Sequence, residues 1–125
     1  AALICHGVFN RHPALRVATI ESGSDWVPAL ARTLKKSYAQ MPSAFGGADP
    51  LEQLREHVWV SPYYEDDLPA LRDTIGAERI LFGSDYPHAE GLADPSAFVH
   101  DLAGFSTPEI RLIMRDNARQ LAGLP

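Results

Sequence analysis

Three short apolar runs, Arg16 to Ile20, Val58 to Val60 and Arg79 to Phe82, each lead through a polar turn into a helix-forming stretch. No Asn-Gly or Asp-Gly hairpin signal joins any two of them. Strand-then-helix order, repeated three times, implies parallel strands linked by right-handed crossovers. The expected fold class is α/β.

Arg16 to Ile20 is rich in β-branched residues and ends in Glu21-Ser22-Gly23-Ser24-Asp25, a turn and then a helix start. Ser24 or Asp25 can cap that helix, Pro28 is tolerated in its first turn, and Val27, Leu30, Leu34 and Tyr38 recur at helical spacing. A loop with Pro42, Gly46 and Gly47 precedes a short helix from Asp49-Pro50 through Leu51 and Leu54. Val58-Trp59-Val60 closes at Ser61-Pro62, and the next helix carries Leu68, Leu71 and Ile75 on one face, with Gly76 placed to end it in a left-handed conformation. Arg79 to Phe82 is nearly all apolar, as in a strand buried on both faces. Asp94-Pro95 opens a further helix through Phe98, Val99 and Leu102, and Ser106 with Glu109 matches a capping box for the last one. Ala2 to His12 reads as a helix ahead of the first strand, and both Trp26 and Trp59 read as core.

Composition removes several function classes. Net charge is −5 and the basic residues are scattered, so no nucleic-acid footprint and no anionic-membrane patch is visible. No apolar run approaches the roughly 18 residues that a membrane-spanning helix requires. Cys5 is the single cysteine, which excludes an internal disulfide and fits a reducing, cytoplasmic setting. Ala1 in place of a starting Met fits a cut or processed chain. There is no Gly-x-Ser-x-Gly elbow, no phosphate-cradling glycine loop and no Cys-x-x-Cys.

Parallel sheets are normally covered on both faces, so three parallel strands make a poor domain by themselves. A (β/α)8 barrel takes about 250 residues. A chain of 125 residues with three β/α units is somewhat less than half of one. In barrels and open sheets alike, ligands gather at the C-terminal ends of strands, where Glu21, Ser61 and Asp85 fall.

Ile80-Leu81-Phe82-Gly83-Ser84-Asp85-Tyr86-Pro87-His88 resembles the last-strand motif of the amidohydrolase-2 family, which includes metal-dependent hydrolases and decarboxylases related to aminocarboxymuconate semialdehyde decarboxylase. Gly7 to Val17 is similar to the family's helix leading into barrel strand six, and Arg115-Asp116-Asn117-Ala118-Arg119 resembles its final helix. The resemblance implies the C-terminal portion of a (β/α)8 TIM barrel over residues 1–125, carrying strands six to eight and their helices. It also implies a mononuclear divalent metal site, zinc in the first instance, with Asp85 as metal ligand or as the group that handles the proton of a metal-bound water. A strand-end cap is the plainer role for Asp85.

The family's strand-six histidine is replaced here by Glu21, a harder, anionic ligand that suits other divalent ions. Glu21 can equally serve as acid or base, or as a structural ion-pair partner. His88, Tyr63 and Tyr64 are the candidates for substrate binding, against a plainer reading as loop rim and packing. His6, His12, His57 and His100 read as structural or solvated, and no two histidines form a His-x-x-x-His pair. Asn117, polar on an apolar stripe, is expected to bond neighbouring backbone and hold the last helix in place.

The family's other histidine ligands would lie upstream of Ala1, so the expected partners are the missing N-terminal part of the barrel and a small-molecule substrate, and a homo-oligomer is compatible. The whole protein is expected to be a hydrolase using metal-activated water, and this chain alone to be inactive. A non-oxidative decarboxylase of the same family is the alternative, followed by a barrel that binds a small molecule without catalysis.

Overall fold

In the computed structural model, which describes residues 1–124, two short helices, α1 (Ala2–Cys5) and α2 (Val8–Arg11), precede strand β1 (Val17–Thr19). The single helix expected over Ala2 to His12 is split because Gly7 adopts φ +61°, a left-handed conformation that only glycine enters freely. Helix α3 (Trp26–Gln40), a 3-10 turn at Pro42–Phe45 and α4 (Pro50–His57) lead to β2 (Val58–Val60). After α5 (Leu68–Ile75) come a 3-10 turn at Ala77–Arg79 and a 3-10 segment at Pro95–Leu102. The final helix is α6 (Thr107–Arg111), a π-helical stretch (Leu112–Asp116) and α7 (Asn117–Leu121). No helix among the described residues is long and apolar enough to cross a membrane.

Local sequence explains most of these boundaries. The Asp49 carboxylate accepts from Leu51 N–H ahead of Pro50, and Asp67 accepts from Ala70 N–H ahead of Pro69. The start of α3 departs from expectation. Asp25 makes no side-chain capping bond and the Ser24 hydroxyl donates to the distant Asp66 instead, so a tertiary contact has taken the cap. Gly76 ends α5 at φ +86° and ψ 149°, a glycine-favouring backbone but an extended one rather than left-handed helical.

β1 and β2 pair in parallel, with Val17 opposite Val58, Ala18 opposite Trp59 and Thr19 opposite Val60, and Ile80 bridges in parallel to Val60. The architecture is α/β. The third strand expected over Arg79 to Phe82 shrinks to that bridge, since Ala77–Arg79 are taken up by a 3-10 turn, and the groups of Ile80 itself face away from β2. Its N–H donates to Ala77 O at 3.3 Å and its carbonyl accepts from Asn117 Nδ2 at 2.7 Å. Only Leu81 N–H is left to donate to Val60 O, at 2.8 Å.

The sheet buries one face against the helices. Val58, Val60 and Ile80 join Val27, Leu34, Leu71, Ile75, Phe98 and Ile113 in one apolar core. Trp59, pleated to the other face, is buried but outside that cluster. The Arg79 guanidinium stacks 4.5 Å over its ring. Trp26 is half-buried against the core, and its indole N–H donates to Gly23 O at 3.0 Å. His57, as expected, is structural: it stacks on Phe9 with ring centroids 4.4 Å apart and bonds Leu15 O through Nδ1.

Asn117 is fully buried, and its amide donates to Ala77 O at 2.8 Å and to Ile80 O at 2.7 Å. The expectation that it fastens the last helix holds. Asn117→Ala strands two buried acceptors and should cost about 2–3 kcal/mol in denaturant unfolding of the whole protein, where an exposed substitution such as Arg119→Ala should cost little.

The capping box also forms, with the Ser106 N–H and O–H both donating to Glu109 Oε2 at 2.8 and 2.7 Å. Those bonds hold the Glu109 carboxyl below its ordinary value of 4.5. A depressed folded-state value means that the box is at full strength above pH 4.5 and weakens as pH falls through that lower value. Glu109→Gln keeps an acceptor without the titration, so its stability below pH 4.5 should fall less steeply than that of the wild type in acid-unfolding curves.

Candidate metal centre

Parallel pairing brings three chain ends out on one side of the sheet. Ser61 N–H donates to Thr19 O at 3.0 Å just past the β1–β2 ladder, and the Leu81–Val60 bond aligns the third run beside β2. Ile20, Glu21, Ser61, Tyr63, Gly83 and Asp85 consequently border one shallow cavity of about 220 Å³, with Tyr86 at its edge. The close approach depends on Gly83. A Cβ there would lie 2.7 Å from Pro62 O and collide with Ser61 Oγ, so no larger residue fits without separating the strands.

Glu21 and Asp85 follow the first and third runs with φ +54° and +55°, the two non-glycine positive φ values among the described residues. Such a conformation costs about 1–3 kcal/mol for a residue with a Cβ and persists where the surroundings over-determine it. The result is a convergence of ligand atoms. One from each of Glu21, Asp85 and His88 lies within 4.8 Å of the other two, and His88 Nδ1 is 2.8 Å from Asp85 Oδ1. Two carboxylates and an imidazole form a donor set that suits a divalent cation, and no other group of three such residues meets this criterion among the described residues.

The Asp85 side chain is 13% exposed and that of His88 52%. The hydrogen bond to Asp85 raises the His88 imidazole above its ordinary value of 6.5, helped by the charges of Asp85, Glu21 and Glu90, with partial desolvation opposing. His88 therefore keeps its proton to higher pH than an isolated histidine. Tyr63 faces the main cavity, while Tyr64 borders a neighbouring one with Glu65, Asp85 and Glu90. Hydrogen bonding to Glu65, and its charge, raise the Tyr64 phenol above its ordinary value. All five candidate residues thus fall in one region, with Glu21, Asp85 and His88 drawn together and the tyrosines on the cavity walls.

Asp66 escaped the sequence reading. Its Oδ2 accepts from Ser24 N–H at 2.6 Å, Ser24 Oγ–H at 2.8 Å and Tyr63 N–H at 3.0 Å, joining the loop after β1 to the loop after β2. Glu65, Asp66 and Asp67 are three successive acidic residues ahead of α5, and what separates Asp66 from the cap Asp67 is its contact with Ser24, 42 positions away.

The sequence model of the amidohydrolase family, Amidohydro_2, matches residues 1–124. A 2-amino-3-carboxymuconate-6-semialdehyde decarboxylase of Dictyostelium discoideum is 25% identical over 98% of this chain and 35% of its own. The crystal structure of an amidohydrolase from Mycobacterium avium subsp. paratuberculosis K-10 superposes with a TM-score of 0.91 at 55% identity, covering 97% of this chain and 31% of that one. A dihydroxybenzoic acid decarboxylase from Polaromonas sp. JS666, solved with bound manganese and the inhibitor 2-nitroresorcinol, shares the fold at a TM-score of 0.75 and 21% identity, over 95% of this chain and 37% of its own. The chain spans about a third of the length of these relatives. It belongs to the amidohydrolase family.

Proposed function

We propose that this chain supplies strands six to eight, with their helices, of a (β/α)8 barrel, and that the whole protein is a metal-dependent decarboxylase of a small unsaturated or aromatic carboxylic acid. The observation that carries the reading is the meeting of Glu21, Asp85 and His88 across the end of β2, from the runs on either side of it. The remainder of the barrel and the substrate are its proposed partners. Sequence reasoning put hydrolysis first and decarboxylation second, and the relatives favour the reverse order. Hydrolysis rests on the family's description, whereas decarboxylation is the activity named for the Dictyostelium and Polaromonas proteins.

The site chemistry fits loss of carbon dioxide. Breaking the bond between the carboxylate and the substrate carbon leaves an electron pair on that carbon, which must take up a proton. His88, whose Nδ1 lies 2.8 Å from Asp85 Oδ1, is the group placed to exchange that proton through Asp85. Glu21 and Asp85 would hold the divalent cation, manganese or zinc, whose charge when bound helps to fix and neutralise the substrate's oxygens. The partly exposed rings of Tyr63 and Tyr86 offer flat walls for an unsaturated or aromatic acid.

Elemental analysis of the whole protein should find a single divalent ion per chain, lost in Asp85→Ala and reduced in Glu21→Ala. With carboxylated aromatic and muconate-type acids, the loaded protein should release carbon dioxide with proton incorporation at the vacated carbon. Hydrolysis products without carbon dioxide would return the reading to a hydrolase, and absence of metal after incubation with zinc and manganese would favour a pocket that binds without catalysing.

A further inference from the structure

We infer that Asp66 is a positioning residue that acts through Glu21, by holding the turn after β1 in the conformation that aims Glu21 toward Asp85 and His88. This rests on the proposed cation site. Glu21 keeps φ +54°, which a residue with a Cβ retains where its neighbours leave no alternative. The neighbours that do so are identifiable. Two residues on, Gly23 has φ +57° and lies so close to the Tyr63 ring that a Cβ would stand 3.0 Å from it and 3.4 Å from Asp66 Oδ2. One residue further, Ser24 gives both its N–H and its hydroxyl to Asp66, and Tyr63 N–H completes the set. Trp26 Nε1 pins Gly23 O from the other side.

The arrangement is directed at the turn. Ser24 is almost fully buried and forgoes the helix-capping role its side chain could play at the start of α3. Asp66 itself lies outside the cavity and outside the Glu21–Asp85–His88 cluster, so it can act on a cation only through the segments it holds, of which the turn at Glu21 is the one that carries a ligand. Three hydrogen bonds on one carboxylate oxygen are charge-assisted and stronger than neutral ones. Outer partners that orient a ligand in this way are commonly worth about 10- to 100-fold in metal affinity.

Titration of the whole protein with Mn2+ tests this without reference to turnover. Asp66→Ala should raise the Mn2+ dissociation constant on the order of tenfold, with Asp66→Asn, which keeps an oxygen acceptor but not the charge, in between. Glu21→Gln should raise it at least as far, and the double variant Asp66→Ala with Glu21→Gln no further, since the first change acts through the second residue. In the metal-free protein, hydrogen exchange at Ser24 and Tyr63 amides should speed up in Asp66→Ala while that at Leu81 stays unchanged. Should Asp66→Ala not fold, Ser24→Ala removes one donor and should show the same non-additivity at smaller amplitude. Weakened binding in Glu21→Gln with wild-type binding in Asp66→Ala, or additive effects in the double variant, would overturn this inference and leave the cation site standing. Wild-type protein that takes up no Mn2+ would overturn both.

Discussion

Parallel pairing of β1, β2 and the run through Ile80 is the constraint on which the rest of the molecule depends. Parallel strands all deliver their following loops to the same side, so the turns at Glu21, Ser61 and Asp85 meet without any long excursion of the chain. The ladder is only three residues long, and packing rather than hydrogen bonding seats it. Burying an aliphatic side chain contributes about 1.5–3 kcal/mol, against about 1 kcal/mol net for a hydrogen bond. Val58, Val60 and Ile80 on one face thus decide where the sheet lies, while the N–H to C=O bonds decide its register.

Polar side chains then refine what packing leaves loose. Asn117 takes the carbonyls of Ala77 and Ile80, fastening the final helix to the run that ends in Asp85. Asp66 gathers the loops after β1 and β2, and Trp26 anchors the turn at Gly23. Each is an inexpensive bond by itself, but a buried partner left unpaired costs more than the bond is worth, which gives these contacts their specificity. The strained backbone at Glu21 and Asp85 lies within a few residues of these contacts.

Much of the α/β order was legible because its signals are local. Asp49-Pro50 and Ser106 with Glu109 each mark a helix start through a side chain reaching its own next turn, and both form. The readings that failed involve either a distant competitor or a backbone conformation that apolar spacing does not record. Ser24 does not cap α3 because Asp66 claims it, Gly7 breaks a helix that apolar spacing alone would continue, and Arg79 to Phe82 does not form a full strand because a 3-10 turn takes up its start.

For the site, the sequence by itself determined the residue types and their placement at strand ends: an aspartate and a histidine after the third apolar run, a glutamate after the first, tyrosines after the second. That much follows from one-dimensional order, since a carboxylate following a parallel strand must emerge at its C-terminal edge. Only the tertiary structure decided that Glu21, 64 positions from Asp85, comes within 4.8 Å of it and His88, and that Asp66 rather than its acidic neighbours braces the turn. The reason is geometric. Contact across β2 depends on register and on the space Gly83 leaves beside Ser61 and Pro62, and neither is written in the local spacing of any one segment.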